Sequence, residues 1–454
     1  MLLHLLYIPD CPNLKHGDKT MAEIIKTEGS EITIQVKVNL KGSMLEIENS
    51  ILDAVNETGQ VATQAGLKRF DTDGSPLCIG DTRLTSKGLV NKTYETPYGA
   101  VSIERNIYQT SKGGKTYCPL EQEARIIQNA TPKFAQQVSS KYANMNAPSV
   151  CQDLADNHAR CISHSYVQKV SDYVASIAAA KEEVWEYETP QLDKAIETIV
   201  FSLDGAFVPL RASNESDGET GGYREAMVGN ISLYDIDGER QHTIYIGAAP
   251  EYGKGQFFKR FTQEIEHIKK QYPDATYIGI ADGAKSNWSF LSQHTDNQLL
   301  DFFHVTEYIS KVSHVFYPEQ MQQAEREKWL HEQCHNLKHV SGTVVKIIED
   351  IHQFLKSNKL TKSLQEDVLS ALSYFENNQG LMDYSNYVKK KLPIGSGVTE
   401  AACKTLVKQR LCCSGMRWKM QGVKCVLSLR ALLQSKGRWQ QFWERIEQFG
   451  ACLA

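Results

Sequence analysis

Three carboxylates stand apart in this sequence by what surrounds them. Asp204 closes the apolar run "IVFSL" and precedes Gly205, and Asp282 closes "YIGIA" and precedes Gly283. Glu400 follows a Gly395-Ser396-Gly397 turn, and no further acid occurs before Glu444. Lys404, Lys408, Arg410, Arg417, Lys419, Lys424, Arg430, Lys436 and Arg438 fill that interval. An aspartate at the end of an apolar strand, beside a glycine that lets the backbone turn, presents its side chain at the sheet's C-terminal edge. Adjacent strands lie under about 5 Å apart, so two such aspartates can converge and a glutamate from a packed helix can complete a cluster. Like charges that close repel unless cations neutralise them. Hard oxygen donors point to Mg²⁺ or Mn²⁺. Two such ions, about 4 Å apart, would activate a nucleophile and stabilise the leaving oxygen of a phosphoryl transfer. Lys404 and Lys408 lie four and eight residues beyond Glu400, on its own face of an α-helix, where with Arg410 and Arg417 they are placed to hold phosphates. The bland alternative is a Glu–Lys pair on a solvated helix.

The elements that must position these residues are legible as an ordered series. "IETIVFSLDGAFVPL" is a buried strand expected to end at Asp204-Gly205. "REAMVGNISLYDIDGERQHTIYIGAAP" is a hairpin about Asp237-Gly238. "KGQFFKRFTQEIEHIKKQYPD" is an amphipathic helix stopped by Pro273. "ATYIGIADGAKSNWSFL" is a strand entering a helix, and "LLDFFHVTEYISKVSHVF" a short strand and then a helix. The order is strand, hairpin, helix, strand, helix, strand. Residues 316–392 are nearly all helical, so a helical insertion separates the last strand from the helix that begins near Glu400. Upstream, "VNKTYETPYGAVSIERNIYQ" alternates around Pro97-Tyr98-Gly99 and is a hairpin, preceded by a polar lead-in with strand-like segments. "APSVCQDLADNHARCISHSYVQKVSDYV" is a pair of helices, N-capped by Ser149 and by Ser163 or Ser165. Val150, Leu154 and Ala155 form one apolar stripe, and Val167, Val170 and Val174 the other. Such a pair is either a helix-turn-helix whose second helix enters a major groove or an ordinary helical hairpin.

The divisions expected are 1–119, an N-terminal α+β region with the hairpin; 120–195, the helical DNA-binding candidate; 196–315 with 393–435, the part carrying the carboxylates; 316–392, the insertion; and 436–454, a C-terminal tail. A chain of 454 residues suffices for two or three such cores. The net charge of −4 averages a near-neutral body with a basic C-terminal stretch, so the local asymmetry says more about partners than the total. Eleven cysteines, an odd number with no C-x-x-C pair, do not make a disulfide framework and suit a reducing compartment. The opening "MLLHLLYIPD" lacks a basic n-region and a cleavage site, and no apolar run reaches the length of a membrane span. A soluble, cytoplasmic protein without membrane contact is expected.

Four segments in this order, "SLDGA", "IADGAKSNW", "DFFHVTEYISKV" and "GSGVTEAACKTLVKQRLCCSGMRW", closely resemble the Kra-type insertion-sequence transposases (ISKra family) of bacteria. The similarity is dense from about Ile199 to Trp418 and thinner upstream. "DFFH", Asp301 to His304, also resembles the D-x-x-H motif of Mutator-like transposases. The resemblance implies an α/β ribonuclease-H-like catalytic domain with an all-helical insertion, of the DDE type. It implies that Asp204, Asp282 and Glu400 are the catalytic, metal-binding triad, with Asp301 and His304 in support. His304 could orient a scissile phosphate or shuttle a proton; otherwise it is a packed histidine at a strand end. The partners implied are double-stranded DNA, as terminal inverted repeats and as target, with a homodimer or larger assembly on it near the bacterial nucleoid. Trp329, in the insertion, is a candidate for stacking an unpaired base, while Trp288 and Trp418 are expected as core aromatics. Relatives often carry paired cysteines before the hairpin; here Cys78 and Cys118 are single, which leaves only a degenerate zinc site to be sought there. His331, Cys334, His335 and His339 have helical spacing without a second ligand pair. The alternative function is a catalytically silent DNA-binding protein of the same fold; the intact triad ranks it second.

Overall fold

The computed structural model describes residues 21–182, 184–212, 221–319 and 322–451. The chain divides into two compact units, Met1–Ala180 with Gln440–Ala454, and Lys181–Trp439.

In the first unit, β1 (Ala22–Glu28) and β2 (Glu31–Val36) form an antiparallel pair. A 25-residue helix follows, α1 (Met44–Lys68). The sequence pattern here is that of a polar lead-in with strand-like segments, so this helix is a departure from expectation. What starts the helix is a capping box: Ser43 Oγ accepts from the Glu46 amide, and Glu46 Oε2 accepts from the Ser43 amide at 2.6 Å. A four-stranded sheet runs β3 (Leu77–Ile79), β4 (Thr82–Thr96), β5 (Gly99–Thr110), β6 (Gly113–Tyr117), with the expected hairpin between β4 and β5. Then come α2 (Pro119–Glu123), α3 (Pro132–Asn144), α4 (Ala147–His158) and α5 (His164–Lys181). The cap of α4 is Asn146 rather than Ser149: the Asn146 side chain accepts from the Ser149 amide at 2.9 Å, which starts the helix before Pro148. Ser163 caps α5 as expected, accepting from the Tyr166 amide at 3.2 Å. Val150 and Leu154 of α4 and Val167, Val170 and Val174 of α5 are fully buried. Cys78 and Cys118 are free thiols, one exposed and one buried. Cys161 is disulfide-bonded.

The second unit is built on a five-stranded mixed sheet: β7 (Thr198–Leu210), β8 (Gly222–Tyr234), β9 (Arg240–Ala248), β10 (Thr276–Ala281) and β11 (Asn297–Leu300). Their order across the sheet is β11-β10-β7-β8-β9, with β7, β8 and β9 antiparallel and β10 and β11 parallel to β7. Alternate residues of β7 serve opposite faces. Ile199, Phe201 and Leu203 face α6 (Gly255–Gln271) and α7 (Lys285–Leu291), packing with Phe257, Phe261, Ile265, Ile268 and Leu291. Val200 and its neighbours Ile278 and Ile280 face α8 (Phe302–Phe316) and the helices after it. Those helices are α9 (Gln323–His339), α10 (Thr343–Ser357), α11 (Lys362–Asn378) and α12 (Tyr384–Lys389), the expected insertion.

The chain returns in α13 (Gly397–Ala402), which passes without a break into a π-helical segment at Cys403–Lys408 and then α14 (Gln409–Leu411). The Gln409 amide bonds back to the Lys404 carbonyl, five residues earlier. Last come α15 (Met420–Gln434) and α16 (Arg438–Phe449), so the stretch expected as a tail contains a helix. No helix of the described residues is long and apolar enough to cross a membrane.

Candidate metal centre

Sheet register assembles the site. Ser202 of β7 stands opposite Ile280 of β10, so Asp204 and Asp282, each two residues further on, occupy one row. Ala281 stands opposite Leu300 of β11, so Asp301 extends that row by one strand. The Asp301 amide donates to the Ala281 carbonyl at 2.9 Å, which holds this end of the pairing. Three aspartates thus form a row across three adjacent parallel strands, just past the ends of β10 and β11 and midway along β7, about 5 Å apart from strand to strand.

The glycines after Asp204 and Asp282 do different jobs. Gly283 has φ +101°, a left-handed turn that favours glycine, and there the strand ends. Gly205 does not turn: β7 runs on to Leu210, six residues past the expected end, because β8 pairs with it throughout. At 205 a Cβ would lie 2.1 Å from the Glu225 carboxylate on β8, so any larger residue there requires that side chain to swing aside.

Glu400 is brought to the row by α13. The Thr399 hydroxyl, fully buried, accepts from Asn230 Nδ2 of β8 at 2.6 Å, and Asn230 Oδ1 accepts from Ser232 Oγ at 3.1 Å. Asn230 pairs with Ser202, which shares a face of β7 with Asp204, so the bond pins α13 over the carboxylate side of the sheet. The turn before α13 is held by Asp301. This fully buried carboxylate caps α8 by accepting from the Phe303 amide at 3.0 Å. It also accepts from the Ser396 amide at 3.1 Å and from the Ser396 hydroxyl. A carboxylate has about four lone-pair positions; two on Oδ1 and one on Oδ2 are used, so Oδ2 keeps one. Gly395 permits the approach, since a Cβ there would meet Phe303 at 3.0 Å and Asp301 Oδ1 at 3.3 Å.

Ligand atoms of Asp301, His304 and Glu400 all lie within 4.8 Å of one another, the one group of three or more such side chains among the described residues. His304, one turn into α8, is one-third exposed, with Nδ1 3.7 Å from Glu307 Oε2. Two carboxylates and an imidazole make a donor set that fits a divalent cation of the Mg²⁺–Mn²⁺–Zn²⁺ range.

The electrostatics tie this group to the rest of the row. Burial, then the Asp282 carboxylate, push Asp204 above the usual carboxylate range; the Gly205 amide, donating to Oδ1 at 2.7 Å, works against that. Burial, then Asp301 and Asp204, raise Glu400, while His304 lowers it. Cys403, one turn after Glu400, donates its thiol to Asp204 Oδ2 at 3.7 Å; burial and that carboxylate hold it protonated. Asp282 Oδ1 accepts from the Ala284 amide and from Asn287 Nδ2, both at 3.1 Å. Asp204, Asp282, Asp301, His304 and Glu400 therefore feel one another across one edge of the sheet. A site of like charges with raised carboxylates is what a divalent cation would relieve.

The basic residues are distributed differently from the expectation. Lys404 and Lys408 are exposed and lie in the π-helical segment that follows Glu400. Arg417 is exposed, and its carbonyl accepts from Arg211 Nε at 3.0 Å. Arg410 is only 3% exposed, its guanidinium 4.9 Å from the Trp418 ring centroid, a packing contact rather than a surface for phosphate. Trp329 is half-buried against the insertion's core, 5.2 Å from the Phe316 ring. Asn230, Thr399, Ser396 and Cys403, which position the carboxylates, were not singled out by sequence reasoning. The run "GSGVTEAAC" keeps three of them within one turn of Glu400, the signal that was there to use.

No protein-family model matches the chain, and no curated protein matches it in sequence. Among solved structures, the Drosophila P element transposase strand transfer complex is weakly similar, at 8% identity over 71% of this chain and 82% of that one, with a TM-score of 0.26. A likeness at that level is too slight to assign a fold.

Proposed function

We propose that the second unit is the catalytic part of a DDE-type DNA transposase of the Kra insertion-sequence kind, with a ribonuclease-H-like fold. The observation that carries the proposal is the aligned row Asp204, Asp282 and Asp301 with Glu400 brought against it. The strand–hairpin–helix–strand–helix–strand order, with helices inserted before Glu400, supports the fold reading. Asp204, Asp282 and Glu400 would hold Mg²⁺ or Mn²⁺, two ions in all, with Asp301 and His304 beside them. The bound ions supply an activated water and stabilisation of the leaving oxygen. Water attacks the phosphodiester at the element's end, the bond to the 3′ oxygen breaks, and a 3′-hydroxyl and a 5′-phosphate remain; that hydroxyl then attacks target DNA in the same way. His304, one-third exposed at the rim, is placed to orient the scissile phosphate or carry a proton. Lys404, Lys408 and Arg417, all exposed, would track the DNA backbone. The α4–α5 pair is the candidate reader of the element's ends, acting in the cytoplasm in a homodimer or larger assembly.

The test uses the full chain and a duplex carrying the sequences that bracket its reading frame. With Mg²⁺, wild type cleaves; Asp204→Asn, Asp282→Asn and Glu400→Gln bind the ends but do not cleave. Normal cleavage by any one of the three overturns the assignment.

A further inference from the structure

Among the side chains that the inserted helices bring to the carboxylate row, Tyr374 stands out. Tyr374, on α11, packs its ring against the turn after Asp282: a Cβ at Gly283 would lie 3.5 Å from Tyr374 Cε2. The ring is also stacked on Tyr308 of α8, with centroids 3.7 Å apart and planes 10° from parallel. Lys311 Nζ, 4.4 Å from the Tyr308 centroid, covers that partner in turn. Position and orientation of Tyr374 are thus fixed by stacking, not by its hydroxyl. The hydroxyl is buried and has no hydrogen-bond partner among the described residues. Burial, then Tyr308, Asp282 and Asp301, raise its pKa, so it remains a protonated donor at neutral pH.

A second atom beside the same aspartate is in the same state. Asn287 is 4% exposed and donates Nδ2 to Asp282 Oδ1, while its own Oδ1 is buried without a partner among the described residues. Buried polar groups are nearly always paired, and clustered exceptions need a cause. Here both exceptions flank a carboxylate whose Oδ1 takes two hydrogen bonds and whose Oδ2 takes none from the described residues. Outer partners of this kind orient metal-binding carboxylates elsewhere, and losing one typically weakens metal binding about 10–100-fold.

We infer that Tyr374 is a positioning residue of the metal centre: its hydroxyl donates to the Asp282 carboxylate when that group turns to hold a divalent ion, tying the inserted helices to the catalytic sheet. The inference rests on the role proposed above for Asp282.

Tyr374→Phe keeps the stacked ring and removes only the donor. In the full chain, Mn²⁺ binding followed by electron paramagnetic resonance should weaken about 10-fold. The melting temperature in chelator should stay level or rise, since the lost hydroxyl made no bond. In an Asp282→Asn background, Tyr374→Phe should add no further weakening. A Tyr374→Phe dissociation constant within twofold of wild type overturns the inference, as does a full additional loss in the Asp282→Asn background. If Asp282→Asn alone binds Mn²⁺ as tightly as wild type, the role of Asp282 fails first, a separate result.

Discussion

Removing the charge of Glu400 should make the ion-free protein more stable, the reverse of what truncating a structural side chain does. Ligand atoms of Glu400, Asp301 and His304 lie within 4.8 Å of one another. Two negative charges at that separation repel by roughly 3.5 kcal/mol at an effective dielectric of about 20, and by roughly 0.9 kcal/mol in bulk water. Glu400 is exposed, so solvent screening pulls the value toward the lower bound. A relief of about 1–2 kcal/mol is expected for Glu400→Gln. For a unit of this size each kcal/mol moves the melting temperature by about 2–4 °C. By calorimetry in chelator at pH 8, Glu400→Gln should therefore melt about 2–8 °C above wild type. Mn²⁺ at about a hundred times its dissociation constant should then stabilise wild type by about 2.7 kcal/mol and the variant far less, reversing the order. A variant that melts at or below wild type in chelator, and gains as much from Mn²⁺, would refute the reasoning.

Asp204 is raised by burial and by Asp282, so the folded state takes up a proton more readily than the unfolded chain. Its contribution therefore favours folding at low pH and is lost as pH rises through the raised pKa; urea titrations in chelator should show wild type gaining on Asp204→Asn as pH falls from neutrality to the ordinary aspartate range, and parallel curves would contradict this. Ser396→Ala removes a hydroxyl donor from the fully buried Asp301, and should cost about 1.5–3 kcal/mol by urea denaturation; a change under about 0.5 kcal/mol would mean Asp301 does not hold that turn. Neutralising both exposed lysines, Lys404 and Lys408, should lower the slope of log affinity for DNA against log salt by about 0.9 for each lost phosphate contact; an unchanged slope removes them from the DNA path.

Much of the site is legible because its parts are local. Asp204 and Asp282 announce themselves at the ends of apolar runs, and Glu400 by a turn and the absence of neighbouring acids. What is not local is not legible. Both aspartates precede glycine, yet only Gly283 turns the chain; at Gly205 the full-length pairing with β8 keeps the strand going, and nothing in the dipeptide separates the cases. Asp301 joins the row through the register of the four-residue strand β11, too short to display its own alternation. The π-helical segment at Cys403–Lys408 carries a pattern that reads equally well as α-helix, so the wider turn is not visible in the sequence. Arg410 is buried by Trp418, a partner that only the folded chain supplies. The helix α1 is a different case: Ser43 and Glu46 have the spacing of a capping box, a signal present in the sequence and passed over.

The central claim is that these acids hold divalent ions together. The most direct measurement is anomalous diffraction at the manganese edge from crystals soaked in Mn²⁺, with Glu400→Gln crystals alongside. Wild type should show one or two peaks within coordination distance of Asp204, Asp282 and Glu400, and the variant a weakened peak or none. Peaks elsewhere, or a bare carboxylate row at saturating Mn²⁺, would contradict it.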